Sequence, residues 1–162
     1  MGANLNSSDQ QLIQGVSLTP LKQIADDRGV VMHHINHLSS TYRGFEESYI
    51  SKTFPGKLKA WKLHLRMTQN FCVPSGKMHF VLYDNRDDSQ TKGLINEFLL
   101  DEDENYHLLS IPPNIWYGFE CIGNSTAIIV NVSNVLFDPA EALKLDPFDG
   151  RIPYSGWISL TK

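Results

Sequence analysis

The stretch Gly56-Lys57-Leu58-Lys59-Ala60-Trp61-Lys62-Leu63-His64-Leu65-Arg66-Met67-Thr68-Gln69-Asn70-Phe71-Cys72-Val73-Pro74-Ser75-Gly76 is the most informative part of the chain. From Trp61 to Arg66 apolar and polar residues alternate strictly, the signature of a strand with one face buried. A second candidate strand over 70–73, apolar at Phe71, Cys72 and Val73, ends at Pro74-Ser75-Gly76, three residues that favour a turn. Two strands closed off by glycine and proline belong to an all-β domain. Alternation taken alone would bury Trp61, Leu63 and Leu65 and leave Lys62, His64 and Arg66 in water.

Working outward, similar segments recur about every ten residues, at 16–24, 30–35, 47–52, 58–66, 70–73, 77–84, 95–100, 106–111, 117–122 and 127–133. Turn residues separate them: Asp27-Arg28-Gly29, Pro55-Gly56, Pro112-Pro113-Asn114 and Gly123-Asn124. Only residues 139–145 are expected to be helical, with Asp138 as cap and Pro139 at the first position. Many short strands and one late helix predict an all-β jelly-roll barrel with one short C-terminal helix. Residues 1–14 are expected to be a disordered leader, and residues 15–162 one domain.

Composition excludes several functions. Fourteen basic residues face eighteen acidic ones among 162, and no basic run offers a track for a nucleic-acid backbone. The longest apolar runs, such as 127–132, fall far below the ~20 residues of a membrane span, and the N-terminus lacks the apolar core of a signal peptide. Cys72 and Cys121 have neither metal spacing nor a disulfide framework and are expected to be buried, reduced thiols of a cytoplasmic protein. His33, His34, His37, His79 and His107 show no partner spacing and are expected to be structural.

The spacing within 56–76 resembles the cupin pattern of Gly, five residues, His-x-His, three or four residues, Glu, six residues, Gly. Here Gly56 is followed by five residues, Lys62-x-His64, four residues, Gln69, six residues and Gly76. In cupins the two histidines and the glutamate bind a metal together with a later histidine after a Pro-Pro-Gly turn. That later position carries Tyr117 here, after Pro112-Pro113-Asn114. A lysine cannot ligate until it loses its proton, glutamine is a weak ligand, and one histidine does not hold zinc or iron. No metal and no other cofactor is therefore expected.

One cupin branch needs no metal, the dTDP-4-dehydrorhamnose 3,5-epimerases and related nucleotide-sugar enzymes, and residues 15–157 resemble it throughout. Asp27-Arg28-Gly29 looks like its Asp-x-Arg-Gly turn. Lys59-Ala60-Trp61-Lys62 sits where it has Arg-Gly-Leu-His, and a sister group Lys-Ala-Trp-His. Residues 82–93 resemble its Val-Asp-x-Arg-x-x-Ser-x-Thr-x-Gly hairpin. Ile111-Pro112-Pro113 and Tyr117-Gly118-Phe119 match Ile-Pro-Pro-Gly-x-x-His-Gly-Phe. The resemblance implies isomerase chemistry on a nucleotide-linked 4-keto-6-deoxysugar, dTDP-linked foremost, for surface polysaccharide assembly. It also implies a homodimer built by exchanged edge strands.

In that family a histidine removes the proton beside the 4-keto group and a tyrosine returns one to the opposite face. The resemblance places Lys62 at the base and Asn131 at the tyrosine. It places Lys59 at the phosphate-binding arginine, Gln69 at a lysine that assists it, and Glu47 and Tyr49 at substrate contacts. Arg28 keeps the family's identity, and Tyr117 stands near the substrate. Lysine titrates near 10.4, so Lys62 serves as a base only if burial or neighbouring cations lower its pKa by about three units. His64, with an ordinary pKa near 6.5, is the competing base. Asn131 cannot supply a proton as tyrosine does. Two functions stay open: an epimerase, and a lapsed cupin that binds a sugar nucleotide or a partner protein without turnover.

The resemblance turns the face of residues 58–66 around. Lys62 and His64 must point into the barrel, with Lys59, Trp61, Leu63, Leu65 and Met67 on the other side. The apolar members of that outer stripe then need a cover, and a second subunit is the expected one.

Overall fold

The computed structural model describes residues 5–7 and 9–160. Among the described residues twelve strands form: β1 Ser17–Pro20, β2 Gln23–Asp26, β3 Gly29–Met32, β4 Glu47–Thr53, β5 Leu58–His64, β6 Gln69–Ser75, β7 Lys77–Tyr83, β8 Ile95–Asp101, β9 His107–Ile111, β10 Trp116–Cys121, β11 Ala127–Ser133 and β12 Ala142–Lys144. Two five-stranded antiparallel sheets face each other, ordered β1-β9-β6-β11-β4 and β12-β5-β10-β7-β8, while β2 and β3 make a separate hairpin. The all-β cupin architecture expected from the sequence is present.

The main core fills the space between the sheets, where Phe71, Phe80, Phe98, Leu109 and Ile129 are almost fully buried. The glycine of the turn between β6 and β7 is required there. Gly76 has φ +83°, and a Cβ on it would lie 2.6 Å from the Ala127 backbone.

Four expectations change. The predicted strand over 16–24 is broken at Leu21 and Lys22, and its second half becomes β2 of the exposed hairpin. The expected C-terminal helix does not form, and no α-helix occurs among the described residues. Asp138 does cap a turn by accepting from the Ala140 amide, but the turn is a 3-10 one limited to Pro139–Glu141. Residues 142–144 then pair with the open edge of β5, Ala142 opposite His64 and Lys144 opposite Lys62. Inter-strand bonding at that edge outweighs the helix propensity of Ala-Leu-Lys.

The leader expectation also changes where it can be seen. Residues 1–4 and 8 lie outside the described residues, but Ile13 is fully buried in the core and its amide donates to Asn96 Oδ1 at 2.8 Å. Packing therefore begins ahead of Gly15.

The fourth change concerns the cover over β5. Trp61 is 1% exposed because this chain's own C-terminal segment lies across it. Trp157 stands 5.0 Å away and Tyr154 6.1 Å, ring centroid to centroid. Ile152, Val81 and Tyr83 complete this second apolar cluster. Leu63 is also buried, and only Leu65 of the expected stripe remains exposed. The outer face of this sheet thus needs no second subunit to keep Trp61 dry.

Candidate functional site

A cavity of about 550 Å³ opens between the sheets. Strands β5 and β10 supply Lys59, Lys62, His64, Tyr117 and Phe119 to one wall, and β12 adds Lys144. Strand β4 supplies Glu47, Tyr49 and Ser51 to the facing wall.

A local irregularity assembles the first wall. Tyr117 of β10 pairs with Lys62 of β5, but Phe119, two residues on, pairs with Lys59, three residues back. The extra residue reverses the alternation, as a bulge does, so Lys59 and Lys62 line the same cavity. This corrects the expected placement of Lys59 on the opposite face with Trp61. Gly118 sits at the irregularity, where a Cβ would fall 2.5 Å from Ala60 Cβ and 2.9 Å from Trp157. Only a residue without a side chain lets the strands and Trp157 approach so closely.

His64 is buried, and both of its ring nitrogens are engaged. Nδ1 lies 2.5 Å from Glu141 Oε2 and Nε2 lies 3.2 Å from the Tyr117 hydroxyl. The other Glu141 oxygen accepts from the amides of Arg66 and Met67, at 2.7 and 2.8 Å. Burial works against the charged carboxylate, yet these hydrogen bonds hold Glu141 below the usual glutamate range. Burial lowers the His64 pKa; the Glu141 hydrogen bond opposes the shift and the Lys62 charge adds to it. The imidazole is therefore neutral near pH 7, with Nδ1–H donating to Glu141 and its lone pair on Nε2. Tyr117 keeps its proton, because burial first and then nearby Tyr49 and Glu141 push its pKa well above 10.

Lys62 is half-buried beside this pair. Desolvation lowers its pKa first and Lys144 adds to the shift, against an upward pull from Glu141. Lys59 donates to the Lys52 carbonyl at 3.0 Å and to Ser51 Oγ at 3.3 Å, and its ammonium lies 5.9 Å from the Phe119 ring centre. Three ammonium groups on one wall suit an anionic ligand.

The structure thus brings together six of the sequence-derived candidates: Lys62, His64, Lys59, Glu47, Tyr49 and Tyr117. It does not bring in the other three. Asn131 is fully buried with both amide atoms used, Oδ1 accepting from the Asn70 amide and Nδ2 donating to Gln69 Oε1. Gln69 is buried beside it, with its Nε2 on Met67 Sδ. Arg28 is at the tip of the β2–β3 hairpin, its side chain 84% exposed and paired with Asp26.

The sequence reading missed Glu141 and Lys144. Glu141 lies 77 residues after His64, inside a segment read as helix, and no spacing signal joins the two. Strand alternation over 142–144 would have put Lys144 on the Lys62 face.

The four positions of a cupin metal site now hold Lys62, His64, Gln69 and Tyr117, of which only His64 is a strong ligand. Among the described residues no group of three or more His, Cys, Asp or Glu is placed to hold a metal ion.

The model of the family described as dTDP-4-dehydrorhamnose 3,5-epimerase matches residues 10–159. A probable low-salt glycan biosynthesis epimerase of Haloferax volcanii is 33% identical over 147 residues, 88% of each chain. A spore coat polysaccharide biosynthesis protein of Bacillus subtilis is 30% identical over 143 residues, covering 88% of this chain and 91% of its own. A dTDP sugar isomerase crystal structure from Desulfovibrio desulfuricans superposes with a TM-score of 0.86 at 37% identity, over 90% of this chain and 94% of that one. With the family model spanning residues 10–159 and two relatives at 33% and 30% identity over 88% of its length, the chain belongs to the dTDP-4-dehydrorhamnose 3,5-epimerase family.

Proposed function

We propose that the protein epimerises a nucleotide-linked 4-keto-6-deoxysugar, dTDP-linked foremost, for polysaccharide assembly, and that it does so without a metal. The observation that carries the proposal is the neutral His64, oriented by Glu141 and facing a cavity walled by three lysines. His64 Nε2 takes the proton from the carbon beside the ketone once the Tyr117 hydroxyl turns away from it. Lys62, still charged, stabilises the enolate oxygen, a stronger contribution in a dry site than in water. Lys59 and Lys144 attract the diphosphate. The sequence favours Lys62 as base; the Glu141 contact supports His64 for that role instead. The names of the two relatives, in glycan and spore coat polysaccharide biosynthesis, support the destination.

Arg28 contacts substrate only if its hairpin leaves its own barrel. Ile24, Val30 and Val31 on that hairpin are 46%, 48% and 62% exposed. We therefore propose a homodimer in which the hairpin of one copy reaches the pocket of the other. Sedimentation at micromolar concentration should give a dimer, and a monomer would remove Arg28 from the site.

The second reading, a cupin that binds a sugar nucleotide without turnover, draws support from the sealed Asn131, which has no proton to give. One experiment separates the two. A panel of 4-keto sugar nucleotides is incubated with the protein in deuterium oxide and followed by NMR. Exchange beside the ketone in the wild type, abolished in His64→Asn and only slowed in Lys62→Met, supports the epimerase. Tight binding with no exchange from any sugar supports the binding protein. Exchange that survives His64→Asn and disappears in Lys62→Met returns the base to Lys62.

A further inference from the structure

Inversion at carbon needs two proton carriers on opposite sides of the sugar ring, and the cavity has two chemically different walls. His64 and Tyr117 share the β5–β10 wall, joined to each other at 3.2 Å. A proton returned by either restores the original configuration. The facing wall belongs to the other sheet, where β4 presents Glu47, Tyr49 and Ser51.

These three differ as proton donors. The Glu47 carboxylate is an acceptor, with Oε2 bound to the Phe137 amide at 2.9 Å. Ser51 Oγ accepts from the Lys59 ammonium, and an alcohol is a far weaker acid than a phenol. Tyr49 carries a phenol whose hydroxyl donates to Gln69 Oε1 over a long 3.3 Å. That acceptor also takes Asn131 Nδ2 at 2.5 Å, and the Asn131 side chain interacts with the Tyr49 hydroxyl as well, so Tyr49 donates only through a long bond to a shared oxygen. Asn131 is the cross-strand partner of Tyr49, in direct register on β11. The position where the family resemblance puts its tyrosine and the tyrosine that lines this cavity are thus neighbours on adjacent strands.

We propose that Tyr49 delivers the proton to the face of the sugar opposite His64, taking over a role that Asn131 cannot perform. The assignment rests on the epimerase reading above. The step balances. His64 Nε2 removes the proton, and the C–H electrons pass into the enolate. The enolate carbon then takes the Tyr49 proton from the other face, forming a new C–H bond. The phenolate recovers a proton from water and the imidazolium releases one, so the net change is inversion alone. Burial raises the Tyr49 pKa, so the phenol stays protonated at neutral pH until the carbanion calls on it.

The test separates exchange from inversion. A dTDP-linked 4-keto-6-deoxyhexose is incubated with each variant in deuterium oxide, and NMR reads deuterium uptake and product configuration independently. Tyr49→Phe should still take up deuterium with retention through His64, while the inverted sugar forms at least ~100-fold more slowly. Tyr117→Phe should change both events by the same factor, because its hydroxyl meets His64 and not the opposite face. Thermal denaturation and dTDP affinity, both unchanged in Tyr49→Phe, verify the fold and the pocket. Unaltered inversion in Tyr49→Phe overturns the assignment, as does retention-only exchange in Tyr117→Phe. Loss of exchange together with inversion in a folded Tyr49→Phe would also overturn it, by making Tyr49 a binding residue. A wild type that exchanges no sugar of this class overturns the epimerase reading, and this assignment falls with it.

Discussion

His64 and His79 are both buried, and both flank β10 in the same sheet, yet their second nitrogens face different chemistry. His79 meets a carboxylate at each nitrogen, Glu120 Oε1 at 2.7 Å from Nδ1 and Glu97 Oε2 at 2.9 Å from Nε2. Both of its nitrogens are thus engaged by carboxylates, and neither is open to a ligand. His64 meets a carboxylate at Nδ1 only, and a hydroxyl at Nε2 that can rotate away. Burial alone therefore does not tell the two histidines apart. The partner of the second nitrogen does.

The largest effect that would break this comparison concerns stability. Glu120 also accepts from the amides of Ile158 and Ser159, and Glu97 accepts from the Tyr154 hydroxyl. His79 thus helps tie down the C-terminal segment that covers Trp61. His79→Leu should lower unfolding free energy by about 3–5 kcal/mol, because it leaves the buried Glu120 carboxylate without its side-chain partner. Exchange per folded molecule should stay at the wild-type level. A stable His79→Leu protein, or one that is folded but inert, would undo the assignment of His79 to structure.

How much of this was legible in the sequence follows from the range of each signal. The order of residues from Gly56 to Gly76 is local information, and it placed Lys62 and His64 in the barrel against the naive alternation. The irregularity between Tyr117 and Phe119 is a relation between two strands nearly sixty residues apart, so nothing local moved Lys59 to the cavity face. The cover over Trp61 was misassigned to a second subunit for a similar reason. Trp157 and Tyr154 lie in a segment without periodicity, and only folding shows them crossing the sheet. Glu141 hid within a segment whose helix propensity was misleading. Its role depends on β12 completing the edge of β5. The burial of Ile13 left no periodic signal, because Leu12 and Ile13 stand alone between polar residues and Gly15.

A smaller effect sharpens the comparison on the reactive side. Glu141→Gln keeps the shape of the side chain but can present its amide nitrogen to Nδ1, which favours the wrong tautomer of His64. Exchange should fall on the order of a hundredfold, the lower end of what a positioned general base contributes. The matching change Glu120→Gln beside His79 should destabilise the protein without lowering exchange per folded molecule. Equal rates in Glu141→Gln and wild type would mean that the 2.5 Å contact is structural, like those of His79.

The smallest effect expected is a displacement of the pH profile. Burial holds His64 below its ordinary 6.5 and Lys62 below its ordinary 10.5. A base acts when deprotonated, so exchange should rise as pH climbs through a value below 6.5. It should fall again as pH climbs through a value below 10.5, because Lys62 then loses the charge that stabilises the enolate. A lysine base would instead make the rate rise at that second step, so the alkaline limb decides between the two residues by sign. Glu141 raises the His64 pKa, and Glu141→Gln should therefore move the acid limb to lower pH. Stability follows the same linkage. The unfolded chain binds the His64 proton first as pH drops below 6.5, so stability declines there. Glu141 and Glu120, both held below their ordinary 4.5, add stability above that value that is lost as pH falls through their lowered pKa values. Chemical denaturation across pH 3–8, beside the exchange profile, checks both signs. An acid limb that stays in place in Glu141→Gln would separate His64 from the exchange step.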